Sequence, residues 1–516
     1  MRTGLRFFCG LTAVAGMAWA GPAGAAVTLP SIFGDHMVLQ QGETVPVWGW
    51  AEQGEAVTVT LGKQTAEAVT GEDGTWRVDL RRMKAGGPYE LTVAGKDTTR
   101  TITDVLVGEV WVGSGQSNMG WPVNATDNAE AEIAGANFPQ IRLFSVELKV
   151  ATEPQDNCVG SWVVCTPETV PGFSAVLYYF GRELHQQLAL PLGLINTSWG
   201  GTPAEAWATR ESMEADPSLK YLVEMWDQKV ADYPAAKEAY DKALAEWQVA
   251  ADAAKAAGQE APAKPTEPQG PTSSWLAAGL YNQMIAPITP FAIQGAIWYQ
   301  GESNAGRAYE YRTLFPTMIN SWRGDWEQGD FPFYFVQLAN FMERKAEPGD
   351  SAWAELREAQ TMTLSLPNTG MATIIDIGDA ADIHPQNKQD VGKRLALNAL
   401  AKDYGKGVAY SGPMYASHSV DGNTVKLRFD HTNGGLVAKG DKLVGFSVAG
   451  EDKKFVWADA IIKGKSILVS SPDVPNPVAV RYGWADNPDA TLYNGAGLPA
   501  VPFRTDTWPG ITDPKK

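Results

Sequence analysis

The chain has 516 residues, 44% of them hydrophobic and 20% charged. That is too long for one ordinary core and points to about two to four domains. The formal charge of −17 comes without any cluster of Lys and Arg interleaved with aromatics, so the counterion release that drives nucleic acid binding has no footing here.

Residues 1–25 read as a secretory signal: Arg2 and Arg6 supply a positive start, residues 7–20 an apolar stretch, and Ala23-Gly24-Ala25 a small-residue cleavage site. The stretch is too short and too rich in Gly and Ala to span a membrane. Cys9 lies inside it and not at the cleavage point, which argues against a lipid anchor. The expectation is an exported mature chain, periplasmic or secreted, with no membrane insertion. Cys158 and Cys165 then remain, and export permits either a bridge or two buried thiols.

From residue 26 to 104 short apolar-alternating segments at 45–47, 57–61, 76–80 and 89–93 are separated by Gly-, Asp- and Pro-containing turns, which predicts a small β-sandwich. The pattern changes at Asp104. A continuous apolar strand over 105–112 runs into Gly113-Ser114-Gly115-Gln116-Ser117-Asn118-Met119, and buried strands then alternate with amphipathic helices. Helices are expected from Ser174, a plausible cap, and over 309–322, 354–364 and 386–402. Strands are expected over 192–196, 293–299, 332–338 and 371–376. Such alternation implies right-handed βαβ units and a parallel sheet between helices, over residues 105–203 and 271–405. Residues 204–270 interrupt it with an Ala-, Glu- and Lys-rich stretch and a Pro-rich exit, read as an inserted helical hairpin. Residues 406–516 return to strands, at 425–429, 443–448, 461–469 and 479–482, and form a second β domain. The 19 Trp and 52 Gly suit β cores and sugar-stacking surfaces alike.

Ligands of open parallel sheets bind beyond the C-terminal ends of the strands, and four such ends carry polar groups. Ser117 stands on a tight strand-to-helix turn, where its hydroxyl is exposed and nearby N–H groups can meet an oxyanion. Among His36, His185, His384, His418 and His431, His384 alone follows a buried strand of the α/β region, with Asp382 and Asp379 just upstream. An imidazole steadied by a carboxylate is what a serine nucleophile requires. Trp298-Tyr299-Gln300-Gly301-Glu302-Ser303-Asn304 offers Asn304 as an oxyanion donor and Gln300 and Glu302 as substrate contacts, with Ser303 a rival nucleophile. Gln116 is expected to face substrate as well. Trp199-Gly200-Gly201-Thr202 ends another strand, and its glycines permit close backbone approach. The sequence contains no P-loop, no Rossmann glycine fingerprint and no metal-ligand spacing.

These blocks, in this order, resemble the SGNH hydrolase superfamily and, within it, the sialate O-acetylesterase-like carbohydrate esterases. Gly115-Gln116-Ser117-Asn118-Met119 is similar to that branch's nucleophile block, Gln300-Gly301-Glu302-Ser303-Asn304 to its Asn block, and Asp382-Ile383-His384-Pro385 with Lys388, Gly392 and Arg394 to its histidine block. The likeness reaches on to Tyr482-Gly483-Trp484-Ala485-Asp486 and Gly497-Leu498-Pro499-Ala500. It implies an SGNH-type three-layer α/β/α domain between β-sandwich-like domains, and a serine esterase removing O-acetyl groups from sugars or polysaccharides, sialate or plant cell-wall glycan, through an acetyl-serine. Ser117 would be the nucleophile and His384 the base. The oxyanion hole would be built from the Ser117 N–H, an N–H of Gly200 or Gly201, and the Asn304 amide, with no metal or organic cofactor. The family's D-x-x-H block is altered: position 381 is Ala, and Asp382 stands two residues before His384. Asp382 is therefore the expected orienting acid, with Asp379 or a bare Ser–His dyad as alternatives. The competing reading is an exported carbohydrate-binding protein on an esterase scaffold.

Overall fold

Residues 26–514 are described in the computed structural model of the protein, and the expected signal segment, residues 1–25, lies outside them. Six strands come first: β1 (Val38–Gln40), β2 (Val45–Trp50), β3 (Ala56–Leu61), β4 (Gln64–Val69), β5 (Thr75–Leu80) and β6 (Gly86–Ala94). β2 and β5 pair as a ribbon, and β4, β3 and β6 form an antiparallel layer. In β3 and β5 every second side chain is buried, as expected of strands with one face on a core.

The next strand, β7 (Thr99–Gly115), is 17 residues long and joins this layer to the central sheet. Its first half pairs with β6 and its middle with β1, while its last residues lie between the parallel strands Leu192–Asn196 and Gly295–Tyr299. Every residue from Val105 to Gly115 is buried, the signature of a strand covered on both faces. The boundary expected at residue 104 thus falls inside a strand. The apolar core under the first strands is continuous with that of the α/β region, so the chain changes surroundings in mid-strand and not at a linker.

Beyond β7 come α1 (Ser117–Gly120), α2 (Ala129–Ala134), β8 (Phe138–Ser145), β9 (Trp162–Cys165), α3 (Ala175–Leu188), β10 (Leu192–Asn196), α4 (Arg210–Ala215), α5 (Lys220–Ala256), β11 (Gly295–Tyr299), α6 (Ala308–Trp326), β12 (Phe333–Gln337), α7 (Ala352–Met362), β13 (Thr369–Thr373) and α8 (Lys388–Lys402). The central sheet runs β13-β12-β11-β7-β10-β8-β9, parallel except for β9. Helices cover both faces. Trp111 of β7 meets Phe180 of α3 at 4.9 Å on one side, and on the other Trp298 of β11 packs on Phe315 and Trp322 of α6 at 6.2 and 6.0 Å. Ser174 caps α3 by accepting the Leu177 N–H, as its position suggested.

Three readings need correction. β8 and β9 have no counterpart among the expected strands. Pro139 and Arg142 break the apolar run in β8, yet Arg142 is buried there and forks onto Asp104 at 2.7 and 3.2 Å, a pairing that only the fold creates. The inserted hairpin is instead a single 37-residue helix, α5, after the short α4. Its return segment is not helical, because Pro262, Pro265, Pro268 and Pro271 withhold the N–H donors a second helix needs. That segment straps along α5, where Pro262 takes the Trp247 indole N–H at 2.7 Å. Finally, the strand expected over 461–469 is a hairpin of Asp459–Lys463 and Ser466–Ser470, turning at Gly464.

Cys158 and Cys165 are buried and unbridged, and burial pushes their thiols up to about 11 and about 12. The C-terminal strands form their own sheets and a separate core around Phe446, Tyr482 and Phe503. Arg357 of α7, fully buried, ties this unit to the α/β region by donating to the carbonyls of Leu338, Ala339, Ala485 and Asp486 at 2.7 to 2.9 Å. Arg357→Met should strand those acceptors and cost at least about 3 kcal/mol, seen as a lower urea midpoint; an unchanged midpoint would show the tie to be dispensable.

Candidate active site

The end of β7 sets the geometry. Gly115 has φ +131°, and a Cβ there would lie 2.2 Å from the Tyr299 carbonyl oxygen, so only glycine lets β7 and β11 meet and the chain turn at this point. The Gln116 N–H donates to that same carbonyl at 3.0 Å, and Ser117 opens α1, half-buried. From the other side Gly200, exposed beyond β10, approaches so closely that a Cβ would sit 3.2 Å from the Ser117 Cβ. Ser174 Oγ donates to the Met119 carbonyl at 2.6 Å and anchors the turn to α3.

The loop after β13 brings in an imidazole. His384 Nε2 lies 2.8 Å from Ser117 Oγ across 267 positions of sequence. His384 Nδ1 lies 3.3 Å from Asp382 Oδ1, which also accepts the His384 backbone N–H at 2.8 Å. Asp382 is 52% exposed, so this third link is long and solvated. Asp379, the reserve, accepts the Ala381 N–H. The imidazole stacks on Trp121, with centroids 4.8 Å apart and planes at 16°.

Beneath the pair lies a buried polar layer. Asn118 donates to Glu302 Oε1 at 2.7 Å and to the Ile383 carbonyl at 3.0 Å, and its Oδ1 accepts from Lys388 Nζ at 2.5 Å. Removal from water holds the Glu302 carboxyl above the ordinary carboxylate range, against the opposing pull of Asn118 and Lys388. The same desolvation brings the Lys388 ammonium down to about 7, although Glu302 and Asp382 favour its charge. Among the described residues Glu302 Oε2 has no hydrogen-bond partner.

The other expected site residues fare differently. Gln116 and Gln300 were expected to contact substrate, but they are buried scaffolding. Gln116 accepts the N–H groups of Gly301 and Ser303, each at 3.4 Å. Gln300 donates to Thr202 and Asn304 and accepts from Tyr311. Glu302 is turned into the polar layer through Asn118. Asn304 is 1% exposed, donating one amide hydrogen to Glu205 at 3.0 Å and accepting the Ala204 N–H. Among the described residues its second amide hydrogen has no acceptor. Glu205 in turn pairs with Arg307. Gly201, with φ +73°, has open space around it, so the close approach to Ser117 falls to Gly200. Ser303 is tied to Gln116 through its backbone N–H, and the imidazole goes to Ser117. Among the described residues no group of three His, Cys, Asp or Glu is placed to hold a metal ion.

Trp121 was not singled out from the sequence, and nothing there distinguishes it from any other Trp. Lys388 had a signal: it shares a helical stripe with Val391 and Leu395, all three buried, and a lysine on an apolar stripe needs a buried partner.

The carbohydrate esterase, sialic acid-specific acetylesterase family matches residues 269–401. Over its length the chain is 32% identical to the sialate O-acetylesterase of Mus musculus, covering 93% of this chain and 94% of that protein. It is 30% identical to the human sialate O-acetylesterase, with 95% and 96% covered. A carbohydrate acetylesterase from Xanthomonas citri superposes with a TM-score of 0.80 at 38% identity, over 94% of this chain and 100% of the other.

The buried ammonium has a measurable consequence. Between pH about 7 and its ordinary 10.5, the folded chain holds fewer protons at Lys388 than the unfolded chain. This residue therefore weakens the fold increasingly as pH falls through that window. Urea titrations of Lys388→Met against wild type should show the difference moving in the variant's favour from high pH down to about 7. A difference flat across the range would mean the ammonium is solvated.

Proposed function

The chain belongs to the sialate O-acetylesterase family of carbohydrate esterases and removes O-acetyl groups from sugars, and we propose that it does so through an acetyl-serine intermediate on Ser117. The observation that carries this reading is the 2.8 Å contact between Ser117 Oγ and His384 Nε2, within the range a proton transfer needs. His384 takes the hydroxyl proton as the oxygen attacks the acetyl carbonyl, then returns it to the departing sugar oxygen. Water, activated by the same imidazole, releases acetate. The oxyanion meets the Ser117 N–H, an N–H of the Gly200-Gly201 turn, where Gly200 is the nearer, and the uncommitted amide hydrogen of Asn304. Asp382 lies on the Nδ1 side of the ring, its Oδ1 3.3 Å from that nitrogen.

The substrate is an acetylated sugar, a sialate or a cell-wall glycan, reached outside the cytoplasm after export directed by residues 1–25. Arg2, Arg6 and the Ala23-Gly24-Ala25 site support export, and among the described residues no helix is long and apolar enough to cross a membrane.

Ser117→Ala should abolish acetate release from acetylated glycans, and mass spectrometry of the quenched wild-type reaction should find an acetyl group on Ser117. Asn304→Ala should lower kcat by roughly 10²–10³. Wild-type turnover by Ser117→Ala, or acetylation of Ser303 in its place, would overturn the assignment.

A further inference from the structure

A serine esterase needs its imidazole held in one orientation, and the residue expected to do this is poorly placed. Asp382 is half exposed, its contact with Nδ1 is 3.3 Å, and the same oxygen closes a local turn onto the His384 N–H. Such side-chain-to-backbone turns form wherever Asp meets a bend, and an exposed pair at that distance has little orienting force.

A stronger connection runs underneath. Asn118 directly follows Ser117, and Ile383 directly precedes His384. The Asn118 amide joins the two, donating to the Ile383 carbonyl at 3.0 Å. Its other two polar contacts leave it no freedom: the second amide hydrogen goes to Glu302 and the oxygen takes the Lys388 ammonium. Two acceptors face the nitrogen and a cation faces the oxygen, so the reversed amide would put like against like at all three contacts. Asn118 is 1% exposed and Lys388 fully buried, and in such surroundings each of these bonds is strong and its loss costly. Above, Trp121 presses on the imidazole face and is itself pinned, its indole N–H donating to the Ala125 carbonyl at 2.8 Å.

We propose that Asn118 is the positioning residue of the Ser117–His384 pair, bracing the backbone beside the nucleophile to the backbone beside the base, and that Asp382 adds little to that alignment. This rests on Ser117 and His384 acting as nucleophile and base. Glu302 and Lys388 serve the brace by fixing the amide from either side. Asn118 touches no substrate and acts only through the two residues it joins.

The test compares Asn118→Asp, Asn118→Ala and Asp382→Asn in the full chain. Asn118→Asp keeps the shape and the Lys388 contact but turns both donors into acceptors. On p-nitrophenyl acetate its kcat should fall roughly 10²-fold, the size of loss that small misplacements of reacting groups cause, with KM held within about threefold. Capture of Ser117 by a fluorophosphonate should slow in parallel, because that reaction reports activation of the hydroxyl without sugar binding. Asn118→Ala, which introduces no charge, should show the same split and stands in if Asn118→Asp does not fold. Asp382→Asn should cost about fivefold or less. The proposal falls if a folded Asn118 variant keeps kcat within about threefold of wild type, or if Asp382→Asn loses as much as the Asn118 variants. Turnover surviving in Ser117→Ala would remove the reading beneath it, a separate outcome.

Discussion

Parallel strands cannot be joined by tight turns, so each must return by a crossover, and the loops leaving their C-terminal ends collect along one edge of the sheet. In this protein that edge depends on the register of β7 between β10 and β11. Asn196 lies opposite Gly113, and Tyr299 opposite Gly115. With those pairings made, the turns after the three strands deliver Ser117, Gly200 and the 300–304 loop side by side, and the loop after β13 closes over them with His384. A slip of one residue in β7 would reverse the facing of every side chain on it and carry Ser117 off the edge.

The same edge must be dry beneath and open above. Gln116, Gln300, Asn304, Asn118 and Lys388 are all buried, and buried polar groups are tolerable only when their partners are in place. Their bonds run from one loop to another, Gln116 to the 301–303 backbone, Gln300 to Thr202, Asn304 to Glu205, Asn118 to Glu302 and Ile383. The polar layer is thus the means by which four irregular segments hold one geometry. Residue types that suggest substrate contact are used here for internal bracing, which leaves Ser117, His384 and the exposed Gly200 turn to face solvent.

The β regions are attached in two different ways. The N-terminal strands share β7 and its apolar core with the central sheet, so they cannot loosen without disturbing the strand that carries the Ser117 turn. The C-terminal strands have their own core and meet the α/β region through buried polar ties, with Arg357 at the centre. α5 is the opposite case. Only Leu222, Val223 and Trp226 are buried on it, and two ion pairs four residues apart, Lys220–Glu224 and Lys237–Asp241, lie on its exposed surface.

Much of this was written in local pattern. Apolar runs and helical stripes placed most strands and helices of the central sheet. The Gly-rich block after the first buried strand located Ser117, and the scarcity of histidine left His384 as its one plausible partner. These features survive in one dimension because strand period, helix period and turn chemistry are properties of neighbouring residues. What the tertiary structure alone decided are interactions between residues far apart in the chain. Arg142 could not be read as buried before Asp104 was seen beside it, and β8 went unseen with it. The strand expected to begin at a domain boundary reaches back through it, because its partners on the two sides are different sheets. Gln116 and Gln300 have the chemistry to hold a sugar, and only the folded loops show their amides already committed. Asn118 stands in the block that located Ser117, but its bond to Ile383 could not be read there, since a hydrogen bond spanning 265 residues has no local signature, and the stacking of Trp121 on His384 has none either.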